Sequence, residues 1–172
     1  MPLTNDIRSD ELVVKILEET DDLTSFDCST NDTMELNLFI HSEAIPYQKE
    51  KLGITYLFLY NDLIVGFVTL AMSKIEAKWM PSVFRAKTEI KDYPALLVGQ
   101  LATRNDYRKR KIGKTMCLWC LENAKQLSEK IGCRLVIVFT KGKLNEFYEK
   151  CGFQIIPKYQ TKEKKWMFIQ VP

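Results

Sequence analysis

A dense group of cations lies where a predicted strand gives way to a predicted helix. Backbone N–H groups at the start of a helix have no partner within it, and the helix dipole adds partial positive charge there. Cations in one turn repel each other unless water or a bound anion relieves the repulsion. This junction predicts an anion site that suits a diphosphate, with a solvated basic surface as the structural alternative. The cations are Arg108, Lys109, Arg110, Lys111 and Lys114.

Flanking strands and helices must position this segment. The run ALLVGQLAT, residues 95–103, predicts a strand that ends at the basic loop. Apolar residues then recur at helical spacing over 112–130, and Gly132 marks the stop. A continuous apolar strand is predicted over 133–139, followed by a short helix over 144–151.

The N-terminal part of the chain predicts a strand and then a helix. Residues 11–18, ELVVKILE, fit a first strand. The helix is predicted from Asp32 or Thr33 to about Ala44. Asp32 can cap its first turn, and Pro46 discourages continuation beyond.

A hairpin follows this helix. The β-rich runs 54–60 and 63–72 are joined by Asn61-Asp62, residues that tolerate the positive φ of a two-residue turn. Residues 74–94 contain two prolines and predict an irregular connection. Two final strands are predicted at FQIIP and KKWMFIQV. This order of elements predicts an α/β fold with a mixed sheet.

Length and composition indicate one domain over residues 1–172. Of the 172 residues, 46% are apolar, enough to fill one core. No apolar run approaches the roughly 18 residues that span a bilayer, and the N-terminus lacks the basic-then-apolar layout of a signal peptide. We therefore expect a cytoplasmic protein that does not contact a membrane.

Charge is distributed unevenly along the chain. Residues 1–45 hold eleven acidic and two basic residues, whereas residues 46–172 hold eleven acidic and twenty-three basic residues. A basic majority suits an anionic ligand or a polyanionic partner, such as CoA or RNA, although an acidic arm folded back would cancel part of it. Solvated faces of mixed charge are the alternative.

The cysteines do not form the framework of a small secreted domain. They are odd in number and scattered, which favours reduced thiols. A CxxC pair falls inside the long predicted helix, without a second pair and with one histidine in the chain. We expect no metal. The cysteines are Cys28, Cys117, Cys120, Cys133 and Cys151.

The basic segment resembles the acyl-CoA loop of the GNAT superfamily, whose pattern is Arg/Gln-x-x-Gly-x-Gly/Ala at the start of a long helix. Arg108, Ile112 and Gly113 match in place, and Lys111 replaces the first glycine. Glycine at that position allows a close approach without a side chain. The resemblance implies that the backbone of residues 108–114 holds acetyl-CoA.

The resemblance also covers the strand before this loop and the short helix after it. In this family the strand splays from its neighbour and its backbone pairs with the pantetheine arm, a role that falls on Leu101, Ala102 and Thr103. Asn145–Phe153 resembles Phe/Leu-Tyr-Glu-x-x-Gly-Phe. Its tyrosine is commonly the general acid, so Tyr148 would protonate the CoA thiolate. Ordinary packing of strand and ring is the alternative.

The sequence indicates less about the acceptor amine than about acetyl-CoA. Strand 95–103 carries no carboxylate, and His41, the single histidine, lies on the predicted first helix. A lysine amine requires a base, whereas an α-amine with a pKa near 8 is already partly neutral. This favours an α-amine, or a water relay to Glu76 or another carboxylate. Segments such as Phe26-Asp27-Cys28 resemble the GNAT branch that includes toxins of toxin–antitoxin pairs, which acetylate aminoacyl-tRNA.

The resemblance implies a GNAT domain with a mixed sheet of about six or seven strands and a splayed central strand. It implies an N-acetyltransferase that moves the acetyl group of acetyl-CoA to a primary amine by direct attack. Aminoacyl-tRNA, a small molecule and a protein remain open as acceptors, and a homodimer as an assembly. The alternative is a non-catalytic module that senses CoA or binds RNA, favoured by Lys111 and by Lys141 and Leu144, which replace the family's Asn-x-x-Ala.

Overall fold

The computed structural model describes residues 6–160 and 164–172, which include a seven-stranded mixed sheet. The strand order is β1-β2-β3-β4-β5-β7-β6. Strands β4 and β5 run parallel, and the pairs β1–β2, β2–β3, β5–β7 and β6–β7 run antiparallel. The predicted mixed sheet is confirmed. The strands are β1 (Val13–Ile16), β2 (Ile54–Tyr60), β3 (Leu63–Glu76), β4 (Asp92–Thr103), β5 (Leu135–Lys141), β6 (Gln154–Gln160) and β7 (Lys164–Gln170).

Helices flank this sheet, and the longest one, α3, follows the basic loop. Short 3-10 turns occur at Ser9–Glu11, Ala77–Trp79, Ser82–Phe84 and Asn105–Tyr107. Across the described ranges, no helix has both the length and the apolar character needed to cross a membrane. The helices are α1 (Leu36–Leu38), a π-helical turn (Phe39–Glu43), α2 (Ala44–Lys49), α3 (Ile112–Ser128) and α4 (Leu144–Lys150).

The first helical region differs from its prediction at both ends. Asp32 accepts hydrogen bonds from the amides of the first turn, as predicted for a cap, but the helix begins only at Leu36. It then continues past Pro46 to Lys49. The π turn Phe39–Glu43 explains this, because α2 restarts after it and Pro46 falls in the first turn of α2. A proline there removes no essential hydrogen bond.

Two local predictions are confirmed. Asn61 and Asp62 join β2 to β3 with φ of 48° and 62°, the left-handed pair that a type I′ hairpin turn requires. Gly152 follows α4 with a φ of 94° and ends it.

The chain divides into two compact units. The first unit is Met1–Leu70 with Gly99–Cys117, and the second is Ala71–Val98 with Leu118–Pro172. In the first unit, Phe67 is fully buried, and its ring centroid lies 5.8 Å from that of Phe26. The core of the second unit includes Met80, Tyr93, Ala95, Leu135, Ile137, Ile156 and Phe168. A single domain over residues 1–172 stays a prediction.

Candidate active site

The basic loop lies in the first unit and carries several backbone N–H groups that are available to a ligand. The Thr115 amide donates to the Lys111 carbonyl at 3.0 Å, the first hydrogen bond of helix α3. Ile112 is buried and anchors the helix start. Among the described residues, the backbone N–H groups of residues 109–114 have no hydrogen-bond acceptor. Such donors at a helix N-terminus can bind an anion.

The same loop holds two lysines in the left-handed region. Lys109 and Lys111 each have a φ of 64°. Alternating right- and left-handed residues turn successive N–H groups toward one concavity, a nest that binds anions. A residue with a Cβ pays about 1–2 kcal/mol for this conformation. Lys111 therefore takes up the backbone geometry that glycine adopts readily.

The side chains of this loop do not all remain available to an anion. The Arg108 guanidinium donates to the carbonyl oxygens of Thr30 and Cys28, at 2.7 and 3.2 Å. The Arg110 guanidinium lies 4.6 Å from the centre of the Tyr107 ring. Lys111 forms an ion pair with Asp6. Three of the five predicted anion ligands therefore have other partners.

The remaining two cations, Lys109 and Lys114, are exposed. Neither forms a salt bridge with any residue that the structure describes. The charge available to a ligand at this loop therefore comes chiefly from these two ammonium groups and from the helix dipole.

Residues 25–30 form hydrogen bonds with Asn105 and Arg108 at the start of the loop. The sequence analysis did not predict this contact. The Asn105 amide donates to the Asp27 carbonyl at 2.8 Å, and Asn105 Oδ1 accepts from the Thr30 amide at 3.2 Å. Hydrogen bonds from Ser29 lower the pKa of the Asp27 carboxyl. The only sequence signal was the family resemblance at Phe26-Asp27-Cys28.

The predicted pantetheine strand ends in a tight contact. Ala102 is buried, and Leu101 and Thr103 are half-buried. The Arg104 amide donates to the Val65 carbonyl at 2.9 Å. A Cβ on Gly66 would lie 3.0 Å from the Ala102 oxygen. The end of β4 therefore packs closely on β3, while the predicted splay from β5 stays a prediction.

Tyr148 lies on α4, which packs against β5 in the second unit. Its side chain is 6% exposed. Its ring makes edge contacts with Phe147 and Phe153, with centroids 5.0 and 5.5 Å apart. The Phe153 amide donates to the Tyr148 carbonyl at 3.0 Å. The ring position is thus fixed by aromatic packing and by the turn after α4.

Two buried polar atoms near Tyr148 in the sequence have no hydrogen-bond partner among the residues that the structure describes. They are Oγ1 of Thr140, near the end of β5, and Oδ1 of Asn145, on α4. Buried polar atoms are nearly always hydrogen-bonded, so such atoms indicate a place for a water or a ligand. The sequence analysis assigned no role to either residue: Thr140 lies outside the matched segment, and Asn145 begins it but precedes its matched positions.

The candidate bases have structural partners. His41 Nε2 lies 2.9 Å from the Phe26 carbonyl oxygen and donates to it. The Glu76 carboxylate forms an ion pair with Lys78 at 2.6 Å. His41 Nε2 and the Glu76 carboxylate thus each have a partner within the fold.

A family model described as an acetyltransferase (GNAT) domain matches residues 51–155. No curated protein matches this chain. Solved structures with this fold include AtaT complexed with acetyl-methionyl-tRNAfMet, at 22% identity over 92% of this chain and 94% of that chain, with a TM-score of 0.80. A tyrosine-to-phenylalanine mutant of KacT is 18% identical over 94% and 95%, with a TM-score of 0.81.

AtaTR bound with AcCoA is 23% identical over 94% of this chain and 95% of that chain, with a TM-score of 0.76. At these identities the similarity shows the fold, and the family is shown by the domain model, which matches more than half of the chain. The chain belongs to the GNAT acetyltransferase family and is an acetyl-CoA-dependent N-acetyltransferase.

Proposed function

We propose that this enzyme acetylates the α-amine of an aminoacyl-tRNA. The observation that carries this proposal is a group of lysines at one end of β5, in the unit that contains Tyr148. In the antiparallel pair of β5 and β7, Lys141 lies opposite Lys164, and Thr140 lies opposite Lys165. Lys143, exposed, follows two residues after Lys141. Clustered cations attract a polyanion more strongly than a small neutral amine.

Similar folds support an RNA acceptor. AtaT, which shares the fold, was solved in complex with acetyl-methionyl-tRNAfMet. The bases suggested by sequence are also engaged elsewhere, as the ion pair of Glu76 with Lys78 illustrates. An α-amine, with a pKa near 8, is partly neutral without a strong base, in contrast to a lysine amine.

The backbone of the basic loop is proposed to hold the diphosphate of acetyl-CoA. The open N–H groups of residues 109–114 and the α3 dipole fit two adjacent phosphates. The exposed ammonium groups of Lys109 and Lys114 add charge at the same loop. The backbone of Leu101, Ala102 and Thr103 would pair with the pantetheine arm by strand addition.

Tyr148 is proposed as the general acid. Acetyl-CoA supplies an activated acetyl thioester. As the acceptor nitrogen bonds to the carbonyl carbon and the C–S bond breaks, Tyr148 gives its phenolic proton to the departing sulfur. The neutral amine attacks, its nitrogen becomes positively charged as the bond forms, and the proton that this nitrogen then loses returns to the phenolate through solvent. Edge contacts with Phe147 and Phe153 hold the ring for this transfer.

The first experiment measures acetyl transfer from labelled acetyl-CoA to aminoacyl-tRNA by wild-type enzyme and by Tyr148→Phe. Loss of a general acid lowers kcat by about 10²–10⁴-fold, and Tyr148→Phe leaves acetyl-CoA affinity unchanged. Tyr60→Phe, which removes a phenolic hydroxyl at the end of β2 and keeps the ring that packs on Tyr107, serves as the matched control. A kcat for Tyr148→Phe equal to that of wild type contradicts the assignment.

The acceptor is tested with the lysines at the end of β5. Lys141→Ala and Lys143→Ala should raise KM for aminoacyl-tRNA and reduce its dependence on salt, because each variant removes a phosphate contact. Lys130→Ala, an exposed lysine outside this group, is the control. Equal transfer to free amino acids and to aminoacyl-tRNA would contradict an RNA acceptor.

A further inference from the structure

The N-terminal segment contacts the basic loop at two adjacent positions. Asp6 Oδ2 lies 2.5 Å from Lys111 Nζ. The Ile7 amide donates to the Arg110 carbonyl at 3.1 Å. Ile7 is 4% exposed, so its side chain anchors this segment in the first unit. These contacts join the acidic end of the sequence to the site of the open N–H groups.

The contacts fall at a residue in a strained backbone conformation. Lys111 has a φ of 64°, a conformation that residues with a Cβ keep only where the surrounding structure holds them. The Arg110 carbonyl and the Lys111 N–H belong to one planar trans peptide and point in opposite directions. By holding that carbonyl, Ile7 turns the Lys111 N–H away from the N-terminal segment.

We propose that Asp6 and Ile7 are positioning residues of the acyl-CoA loop, together called the N-terminal clamp. The clamp holds Lys111 in the left-handed conformation that a glycine would adopt without help. This inference rests on the proposed binding of the acetyl-CoA diphosphate by residues 109–114. It assigns a function to the segment before β1 and explains how a lysine serves at this position.

Asp6 also has an opposite effect that the test must separate. The Asp6 carboxylate repels phosphates. Replacing Asp6 by alanine therefore increases the long-range attraction of acetyl-CoA to the loop, but it also loosens the loop. The repulsion persists when Lys111 is replaced by glycine, but the need for the clamp does not. A double-mutant cycle between the two positions therefore isolates the clamp.

The experiment is calorimetric titration of acetyl-CoA into wild type, Asp6→Ala, Lys111→Gly and the double variant. An exposed ion pair changes an equilibrium by a small factor, so Asp6→Ala should weaken binding about threefold in the wild-type background. In the Lys111→Gly background the same change should not weaken binding. Asp10→Ala is the matched control, because it removes an acidic group whose partner is Arg8 rather than the loop.

The outcomes separate the clamp from the site. If Asp6→Ala changes Kd by the same factor in both backgrounds, or weakens binding more in Lys111→Gly, the clamp is overturned. Gly113→Asp tests the site itself, since a carboxylate at the helix start should abolish binding of the diphosphate. Binding that survives Gly113→Asp overturns the proposed site and the clamp with it.

Discussion

The guanidinium of Arg108 donates a 2.7 Å hydrogen bond to the carbonyl oxygen of Thr30. Sequence reasoning placed Arg108 among the ligands of an anion, yet its side chain fastens the segment after β1 to the loop before α3. Binding at this loop then depends on backbone N–H groups, whose direction the side-chain contacts maintain.

Arg108→Ala should lower the free energy of unfolding. A hydrogen bond from a charged group contributes about 1.5–3 kcal/mol, and we expect a loss of about 1.5 kcal/mol because the side chain is half-buried. Arg110→Ala, which removes the contact with the Tyr107 ring, should cost about 0.5–1 kcal/mol. Urea unfolding measures both values, and equal losses would contradict the structural role of Arg108.

Gly66→Ala should destabilise the first unit where β3 meets the end of β4. The new Cβ would lie 2.9 Å from Met116 Sδ and 3.0 Å from the Ala102 oxygen. The sulfur can move, but the backbone oxygen moves only with its strand, so we expect a loss of about 1–3 kcal/mol. Gly99→Ala is the control, since its nearest neighbour is at 3.6 Å. Thermal unfolding should show a lower Tm for Gly66→Ala only.

Asp62→Gly should stabilise the hairpin of β2 and β3. Asp62 has a φ of 62°, and Asn-Gly is the preferred pair for this turn. We expect a gain of about 0.5 kcal/mol, and for Asp62→Val a loss of about 1–2 kcal/mol, because a β-branched residue is strained at positive φ. A Tm for Asp62→Val at or above that of wild type would exclude this turn geometry.

Burial protects three of the cysteines, Cys28, Cys120 and Cys133. It raises the pKa of the Cys28 and Cys120 thiols from 9.0 to about 12, and raises that of Cys133 as well. Iodoacetamide at pH 8 should therefore leave these thiols unmodified in the folded protein and label them after unfolding. Mass spectrometry of the labelled peptides checks this, and rapid native labelling of Cys120 would contradict its burial.

The same pKa shifts predict a stability profile at high pH. Between pH 9 and about pH 12 the thiols of Cys28 and Cys120 lose protons in the unfolded chain but keep them in the folded protein. Folding stability should therefore be complete below about pH 9 and fall as the pH rises toward 12. Urea unfolding at pH 8 and at pH 10.5 measures the difference. Replacing Cys120 by alanine should flatten this slope, although it also leaves a small cavity.

Several elements were predictable because their signals are local. The type I′ turn follows from Asn61-Asp62, and the start of α3 at Ile112 follows from helical spacing after a strand. The first helical region was predicted less well. The π turn before Pro46 depends on packing of Phe39 and Ile40 in the core, which no short sequence pattern specifies.

By itself, the sequence determined the mixed sheet, the basic loop before α3 and the family resemblance, because periodicity, turn residues and motif spacing act over a few neighbours. Only the tertiary structure decided which cations of the loop remain available to a ligand. Arg108 donates a hydrogen bond to Thr30, and Lys111 forms an ion pair with Asp6, although each pair is far apart in the sequence. Partners distant in sequence are joined by the packing of the whole unit, so the type of a charged residue does not reveal whether its charge serves a ligand or the fold.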